Sequence, residues 1–179
     1  PVLSGTVAGV DVFNADTNQV ALATWALERF THAGLPSAPV TKVTFPPTAA
    51  CTSGHTGIAY LSEAGGNIGV CVEASELAMN SMPLVARRAI LHELAHVWAA
   101  HQTNDDIRND FMAVRGVSEW RADLWEDSGF EHAAEVMMWG LIDDPVTPRI
   151  PNNSCTELHT AYRILTGQDS PKRADCRNP

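Results

Sequence analysis

The sequence predicts an α+β fold, and three observations lead to this class. The chain has 179 residues, which is enough for one core and short for two. Short strand-like segments with turn signals between them precede residue 80. From residue 81 onward, apolar residues recur at helical spacing. We therefore expect a single compact domain over residues 1–179, with an α/β part at about 1–80 and a helical part at about 81–179.

A helix and three strands make up the predicted α/β part. Residues 17–31 favour a helix, which Gly34 ends. The apolar residues at helical spacing in this segment are Val20, Ala23, Leu27 and Phe30. Residues 40–45 alternate like a strand. Residues 57–61 and 68–72 are two further short strands, and the turn-forming sequence SEAGGN between them predicts a hairpin. Together these segments indicate a small mixed sheet.

A long helix is predicted to open the second part of the chain. Ser81 is a suitable N-cap residue, and Pro83 falls in the first turn, where its missing N–H costs nothing. The apolar pattern continues to about Ala100 and covers nearly the whole helix surface, which is typical of a buried helix. The polar stretch TNDDIRND that follows is either a loop or the start of another helix.

Two later helices each begin with a capping-box pattern. Ser128 and Glu131 precede the apolar run FEHAAEVMMWGL, and Ser154 and Glu157 precede LHTAYRILTG. In such a box the glutamate bonds back to the start of its own helix. His132, within the first of these helices, is expected on the helix surface. No segment between these helices marks a boundary between two domains.

Charge and hydropathy exclude two classes of partner. The formal net charge is −9, whereas nucleic-acid binding depends on clustered lysine and arginine. No apolar run is long enough to cross a lipid bilayer. We therefore expect no nucleic-acid partner and no membrane span, and we expect a monomer.

The four cysteines bear on the compartment in which the protein works. Cys51, Cys71, Cys155 and Cys176 form no C-x-x-C pair, which disfavours a structural zinc site or a redox motif. The simplest of the possible pairings is two local disulfides, Cys51–Cys71 and Cys155–Cys176, each stabilising by about 3 kcal/mol. Four buried thiols are the alternative. Disulfides would indicate a secreted or extracytoplasmic protein.

The sequence HELAH, residues 92–96, predicts a zinc site. His92 and His96 are four residues apart and so lie on one face of a helix, where both imidazoles can reach a single Zn²⁺. Glu93 is turned by about 100° from His92. Its carboxylate can therefore lie beside the metal and act as the general base toward a water molecule. His101 is about 140° around the helix from His96 and cannot join the same site.

A third ligand has to come from elsewhere in the chain. The acidic residues that follow the motif are Glu119, Asp123, Glu126, Asp127, Glu131 and Glu135. Glu131 and Glu135 lie one helical turn apart, so one carboxylate can bind metal while the other orients a histidine. Glu131 has a competing role as the capping partner of Ser128. If capping is its only role, Glu135 or Asp127 would be the ligand.

The combination of HELAH with the downstream sequence GFEHAAEVMMWGL resembles the gluzincin clan of zinc metallopeptidases. The resemblance covers roughly residues 91–167, and the first eighty residues match only loosely. Thermolysin-type members usually carry aspartate at the position of Glu135. The form seen here is closer to lethal-factor-type peptidases and to small secreted bacterial peptidases. The stretch RNDFMAVRGVSEWRADLW is similar to an arginine- and tryptophan-bearing segment of those small proteins.

This resemblance implies a zincin-like fold and a set of residue roles. His92, His96 and Glu131 would bind zinc, Glu93 would be the general base, and Glu135 would support a histidine. The reaction would be hydrolysis of peptide bonds in peptide or protein substrates. In the clan an extended substrate adds as a strand to the sheet edge, here residues 57–61.

The residue that stabilises the oxyanion is less well defined by the sequence. Tyr162 is the leading candidate for this catalytic role, and Tyr60 and His159 are weaker ones. Two other functions are compatible with the sequence. One is a non-catalytic binding protein that keeps zinc for stability, which an intact Glu93 disfavours. The other is a zinc hydrolase that acts on cell-wall peptide amides.

Overall fold

The architecture is α+β, which confirms the predicted class. The computed structural model of the protein describes residues 1–47, 51, 56–72, 82–172 and 176. Within these residues it contains one five-stranded mixed sheet and five α-helices. The sheet is built from the first part of the chain, and all but one of the helices follow it.

The chain begins with a hairpin that was not predicted. Strand β1 (Leu3–Val7) pairs antiparallel with strand β2 (Val10–Phe13). Ala8 and Gly9 make the turn with φ angles of 50° and 84°, which are left-handed conformations. β1 is mostly exposed, so its sequence lacks the alternation that identifies a half-buried strand.

Helix α1 and the next strand agree with the prediction. Helix α1 (Thr17–His32) starts at Asp16, whose carboxylate accepts a hydrogen bond from the Gln19 amide while the Gln19 side chain bonds back in a capping box. Strand β3 (Val40–Thr44) then lies parallel to β2. Of the apolar residues that indicated the helix, Ala23, Leu27 and Phe30 are buried, and Val20 is partly buried against the core.

The predicted hairpin is confirmed at the far side of the sheet. Strand β4 (Gly57–Ser62) and strand β5 (Gly65–Val70) pair antiparallel, and the second strand begins three residues earlier than expected. The strand order is β1-β2-β3-β5-β4, with β5 parallel to β3. β4 is therefore an edge strand, and its outer edge pairs with no other strand in the described part of the chain.

Helix α2 (Leu84–Gln102) carries the HELAH sequence and is buried, as predicted. It packs against β4 and β5 on one side. The helix begins directly after Pro83, and the predicted cap residue Ser81 lies outside the described residues. Its fully buried apolar side chains include Ile90, Leu91, Leu94 and Val97. A helix enclosed in this way holds its polar residues in defined positions.

Three further helices complete the fold. Helix α3 (Asp105–Arg115) is capped by Asn104, so TNDDIRND starts a helix and is not a loop. Helix α4 (Gly129–Leu141) packs against α2, which places it opposite the HELAH face. Helix α5 (Cys155–Thr166) ends at Gly167 in a left-handed conformation, as its sequence predicted.

Both predicted disulfides are present, so the thiol alternative is wrong. Cys51 is bonded to Cys71, and Cys155 is bonded to Cys176. Each closes a loop of about twenty residues and stabilises by about 3 kcal/mol in the chain-entropy account. Among the described residues, none of the helices combines the length and hydrophobicity that crossing a bilayer requires.

Candidate metal centre

Three side chains from α2 and α4 converge at the contact between these helices. The Nε2 atom of His92 lies 3.2 Å from Oε2 of Glu131. The Nε2 atom of His96 lies 3.3 Å from the same oxygen. The ligand atoms of all three residues lie within 4.8 Å of one another. Two imidazoles and one carboxylate therefore face a common point.

The spacing of these atoms fits a bound divalent metal ion. Ligands that bind zinc tetrahedrally at about 2.0–2.1 Å lie about 3.3 Å from one another. The His92–Glu131 distance of 3.2 Å and the His96–Glu131 distance of 3.3 Å agree with this value. Three protein ligands also leave a fourth position, which is the arrangement of catalytic metal sites.

Glu131 does not use its carboxylate as a helix cap. Ser128 caps α4 by accepting a hydrogen bond from the Glu131 amide at 3.4 Å. In α5 the corresponding Glu157 carboxylate accepts a hydrogen bond from the Ser154 amide at 2.9 Å. The Glu131 carboxylate is instead directed at the two histidines. The capping-box pattern at the start of α4 is therefore only half realised.

Glu135 lies one turn further along α4 and contacts the other side of His92. Its Oε1 atom is 3.3 Å from Nδ1 of His92. Its Oε2 atom accepts a hydrogen bond from the Arg149 amide at 2.7 Å and lies 3.4 Å from Nη2 of Arg88. A carboxylate at Nδ1 favours the tautomer that leaves the Nε2 lone pair free for a metal. Glu135 thus orients His92.

Aromatic side chains enclose the two histidines. The His96 ring lies 4.3 Å from the Phe130 ring, and the two histidine rings meet edge to face at 4.6 Å. The Trp125 ring is stacked near His92 at 6.4 Å and is 37% exposed, so it forms part of the outer wall. This shell limits the orientations that the imidazoles can adopt.

Glu93 lies beside the convergent ligands and packs against the edge strand. A Cβ atom at Gly57 would lie 2.5 Å from Cγ and 2.7 Å from Oε1 of Glu93, so only glycine leaves room for this side chain. Glu93 is 6% exposed. Burial raises the pKa of its carboxyl to about 7, although His92 opposes the rise and Glu131 adds to it. Such a pKa suits a group that accepts and returns a proton near neutral pH.

The charge states of the metal-free site follow from its contacts. Burial alone would lower the pKa of His92, but Glu131 and Glu135 outweigh it and raise this pKa to about 9. Burial alone would raise the pKa of Glu131, but His92 and His96 hold it well below its usual range. Burial lowers the pKa of His96. Near neutral pH, His92 is therefore charged and Glu131 is ionised.

An open cleft of about 390 Å³ leads to His92 and Glu93. Its other lining residues include Gly57, Val85, Arg88, Ala89, Trp125 and Arg149. The cleft therefore runs from the edge strand β4 across the face of α2 toward Glu135. It is large enough to admit part of a peptide to the space beside His92 and Glu93.

The structure does not bring the predicted oxyanion donors to this cleft. Tyr162 is fully buried, and its ring packs so closely on Gly140 that a Cβ there would clash. Burial also raises the pKa of its hydroxyl far above the usual range. Tyr60 is exposed on β4, and the His159 ring meets the Trp139 ring edge to face, with the ring centroids 5.3 Å apart. The prediction for Tyr162 is therefore corrected: its helical spacing with other apolar residues of α5 is that of a core residue.

The expectation that His132 lies on the surface is wrong. The residue is fully buried, and its Nε2 atom lies 2.8 Å from the backbone oxygen of Glu126. Arg115, itself 1% exposed, donates to Nδ1 of His132 and to the backbone oxygens of Pro151 and Asn152. This network ties the segment that follows Arg149 to α3 and α4.

Sequence reasoning also missed the polar residues that surround the ligands. Arg88 could have been found, because it lies four residues before His92 and so shares its helix face. Arg149 and Arg115 carry no local signal, since Arg149 donates its own amide to the distant Glu135 and Arg115 donates to backbone oxygens of a distant segment. Searches of family models, curated proteins and solved structures found no match to this chain.

Proposed function

We propose that the protein is a zinc-dependent endopeptidase of the gluzincin type, with a zincin-like fold. The observation that carries the proposal is the convergence of His92, His96 and Glu131 beside a buried Glu93 at an open cleft. A zinc ion held there would polarise a substrate carbonyl and lower the pKa of a water molecule. A purely structural metal site has no need of a buried base next to its ligands or of a cleft that leads to them.

Glu93 performs the proton transfers of the reaction. Its carboxylate accepts a proton as the water oxygen bonds to the scissile carbonyl carbon. The same carboxyl then delivers the proton to the amide nitrogen as the carbon–nitrogen bond breaks, which releases an amine and a carboxylate. In the metal-free protein, burial raises the pKa of this carboxyl to about 7, and a raised pKa favours the return of the proton to the leaving amine.

The edge strand β4 is the proposed support for the substrate. Its outer edge has no strand partner in the described part of the chain, and Gly57 brings it against Glu93. An extended peptide that pairs with this edge would run alongside the cleft. The substrate is therefore a peptide or an unfolded protein segment. A single chain supplies every residue of the site, so a monomer suffices.

The proposed location is outside the cytoplasm. Both pairs of cysteines form disulfides, which persist in oxidising compartments and are rare in the cytosol. A peptidase in that setting would act on extracellular or cell-envelope peptides.

Incubation with a peptide mixture tests the proposed activity directly. Zinc-loaded protein should generate new peptide termini, detected by mass spectrometry, and a zinc chelator should abolish them. Re-addition of zinc to the chelated protein should restore them. A protein that binds zinc and cleaves none of a large and varied set of peptides would contradict the proposal.

Zinc binding at pH 7 should release at least one proton. His92 has a pKa of about 9 in the metal-free protein and is therefore protonated, whereas only the neutral imidazole binds metal. Titration calorimetry in buffers with different ionisation enthalpies measures this release. Above pH 9 the His92 contribution should disappear. An apparent binding enthalpy at pH 7 that is the same in all buffers would contradict the assignment of His92.

Replacing Gly57 with alanine should lower activity without loss of zinc. The added Cβ would displace the Glu93 side chain, and a shift of about 1 Å in a catalytic group can cost about 10²-fold in rate. Turnover and zinc content are measured together. Gly69→Ala is the matched control, because a Cβ there meets only Ile58, at 3.3 Å. Equal activity of Gly57→Ala and the wild type would argue against Glu93 as the base.

A further inference from the structure

Two arginine residues line the cleft beside the candidate metal centre. Arg88 lies four residues before His92 on α2, and its side chain is 18% exposed. Arg149 reaches the cleft from the segment between α4 and α5. Neither group is required by the hydrolytic steps described for Glu93.

Of these two arginines, only Arg88 has a carboxylate within ion-pair distance among the described residues. Glu135 lies 3.4 Å from Nη2 of Arg88, but it also accepts the Arg149 amide and contacts His92. The Arg149 guanidinium itself has no carboxylate within ion-pair distance in the part of the chain that the structure describes. Burial lowers the pKa of Arg88, and Arg149 lowers it further against the opposing effect of Glu135. The positive charge is thus incompletely neutralised.

With a divalent ion bound, the local charge would be opposite in sign to that of the whole protein. The chain has a formal net charge of −9. With a divalent ion at the candidate centre, the ion and the two guanidinium groups outweigh Glu93, Glu131 and Glu135. Arg88 is half-buried and has Glu135 as its counter-charge, whereas Arg149 is exposed and has none among the described residues, so a ligand could bring a further counter-charge. A carboxylate on a ligand would supply it in the bidentate geometry that guanidinium groups favour.

The distance from Arg88 to the reacting bond identifies which part of a substrate would carry that carboxylate. Four residues along a helix correspond to about 6 Å. An extended peptide rises by about 3.3 Å per residue. Ala89, between Arg88 and His92 on the cleft side, has a small side chain that leaves the space open. Arg88 therefore lies within about two residues of the scissile bond, and Arg149 lines the same cleft.

We propose that Arg88 and Arg149 form a carboxylate-binding subsite that selects peptides with a negative charge within two residues of the scissile bond. The carboxylate is either an acidic side chain or the free carboxyl end of the peptide. That the bound ligand is a substrate rests on the function proposed above, whereas the binding of the carboxylate does not.

Peptide binding to a variant that cannot hydrolyse its ligand tests the subsite. Zinc-loaded Glu93→Gln protein is titrated with peptides that differ only by glutamate or glutamine at one position, with amidated ends. The affinity is measured by titration calorimetry or by the change in tryptophan fluorescence, to which Trp125 in the cleft wall contributes. The glutamate peptide should bind about 10- to 100-fold more tightly, as expected for a charge-assisted hydrogen-bonded pair. A second pair of peptides, with a free or amidated carboxyl end and no acidic side chain, distinguishes the two sources of the carboxylate.

Substitutions of Arg88, Arg149 and the adjacent Arg87 test whether the preference depends on the subsite. In the Glu93→Gln protein, a second substitution Arg88→Gln or Arg149→Gln should reduce the preference for the glutamate peptide to about threefold or less, with zinc content unchanged. Arg88→Lys should retain part of this preference. Arg87→Gln is the matched control, because Arg87 adjoins Arg88 but pairs with Asp144 at 2.6 Å. A preference that survives both Arg88→Gln and Arg149→Gln, or no preference in either peptide pair, would overturn the subsite.

Cleavage assays separate this proposal from the proposed function. If the wild type cleaves neutral and acidic peptides equally and binding shows no preference, the subsite fails while the peptidase function stands. If acidic peptides bind in an Arg88-dependent manner but are never cleaved, the subsite stands while the peptidase function fails.

Discussion

Replacement of Glu93 with glutamine should lower peptide hydrolysis by about 10²- to 10⁴-fold, the usual contribution of a general base. The amide is nearly the same size as the carboxyl, so the side chain should keep its place against Gly57. It cannot accept a proton from water, however. Because Glu93 is not among the convergent ligands, zinc should remain bound. Steady-state kinetics and metal analysis of the same preparation measure both quantities.

An exposed glutamate provides the control for this substitution. Glu28 lies on the surface of α1, away from the cleft, so Glu28→Gln should leave both activity and zinc content unchanged. Full activity in Glu93→Gln would remove Glu93 from the mechanism. If the wild type and Glu93→Gln are equally inert toward many peptides, a non-catalytic zinc-binding protein becomes the better description.

Removal of the Glu131 carboxylate should abolish zinc binding, whereas removal of the Glu135 carboxylate should only weaken it. Glu131 contributes one of the three convergent ligand atoms and the only negative charge among them. Glu135 acts through His92, and loss of such a supporting group typically weakens metal affinity by about 10- to 100-fold. Zinc affinity of Glu131→Ala and Glu135→Ala is measured by competition with a chromophoric chelator. Circular dichroism verifies that each variant is folded.

Asp127, which the sequence offered as an alternative third ligand, provides the control for these two substitutions. Asp127 is exposed at the end of the turn that precedes α4, and Asp127→Ala should retain the affinity of the wild type. Full zinc binding by Glu131→Ala would show that the assignment of Glu131 as the third ligand is wrong. Loss of zinc in Asp127→Ala alone would transfer the role to that residue.

Local patterns predicted most of the helices and part of the sheet. The capping box at Ser154 and Glu157 and the glycine that ends α5 are formed as expected, because both act within one or two helical turns. The hairpin β1–β2 escaped prediction because its first strand is exposed and carries little apolar alternation. A strand of this kind is stabilised by pairing with its neighbour, which no short sequence pattern reports.

In the candidate site, too, local spacing predicted some features and packing decided the others. The spacing of His92, Glu93 and His96 identified them as a group, since residues four apart on a helix must share a face. The same rule placed Glu131 and Glu135 one turn apart but left open which would meet a metal. Packing of α4 against α2 answers that point, because it directs Glu131 at both Nε2 atoms and Glu135 at Nδ1 of His92.

Helical periodicity and capping chemistry act over a few residues, so the amino-acid sequence was enough to indicate the α+β class and the HELAH helix. The spacing of the cysteines likewise indicated the two disulfides. Contacts between distant segments are another matter. The close approach of Gly57 to Glu93, the cations beside His92 and the burial of Tyr162 depend on how separate elements pack together. Packing sums many weak contacts over the whole core, and no single stretch of sequence contains that sum.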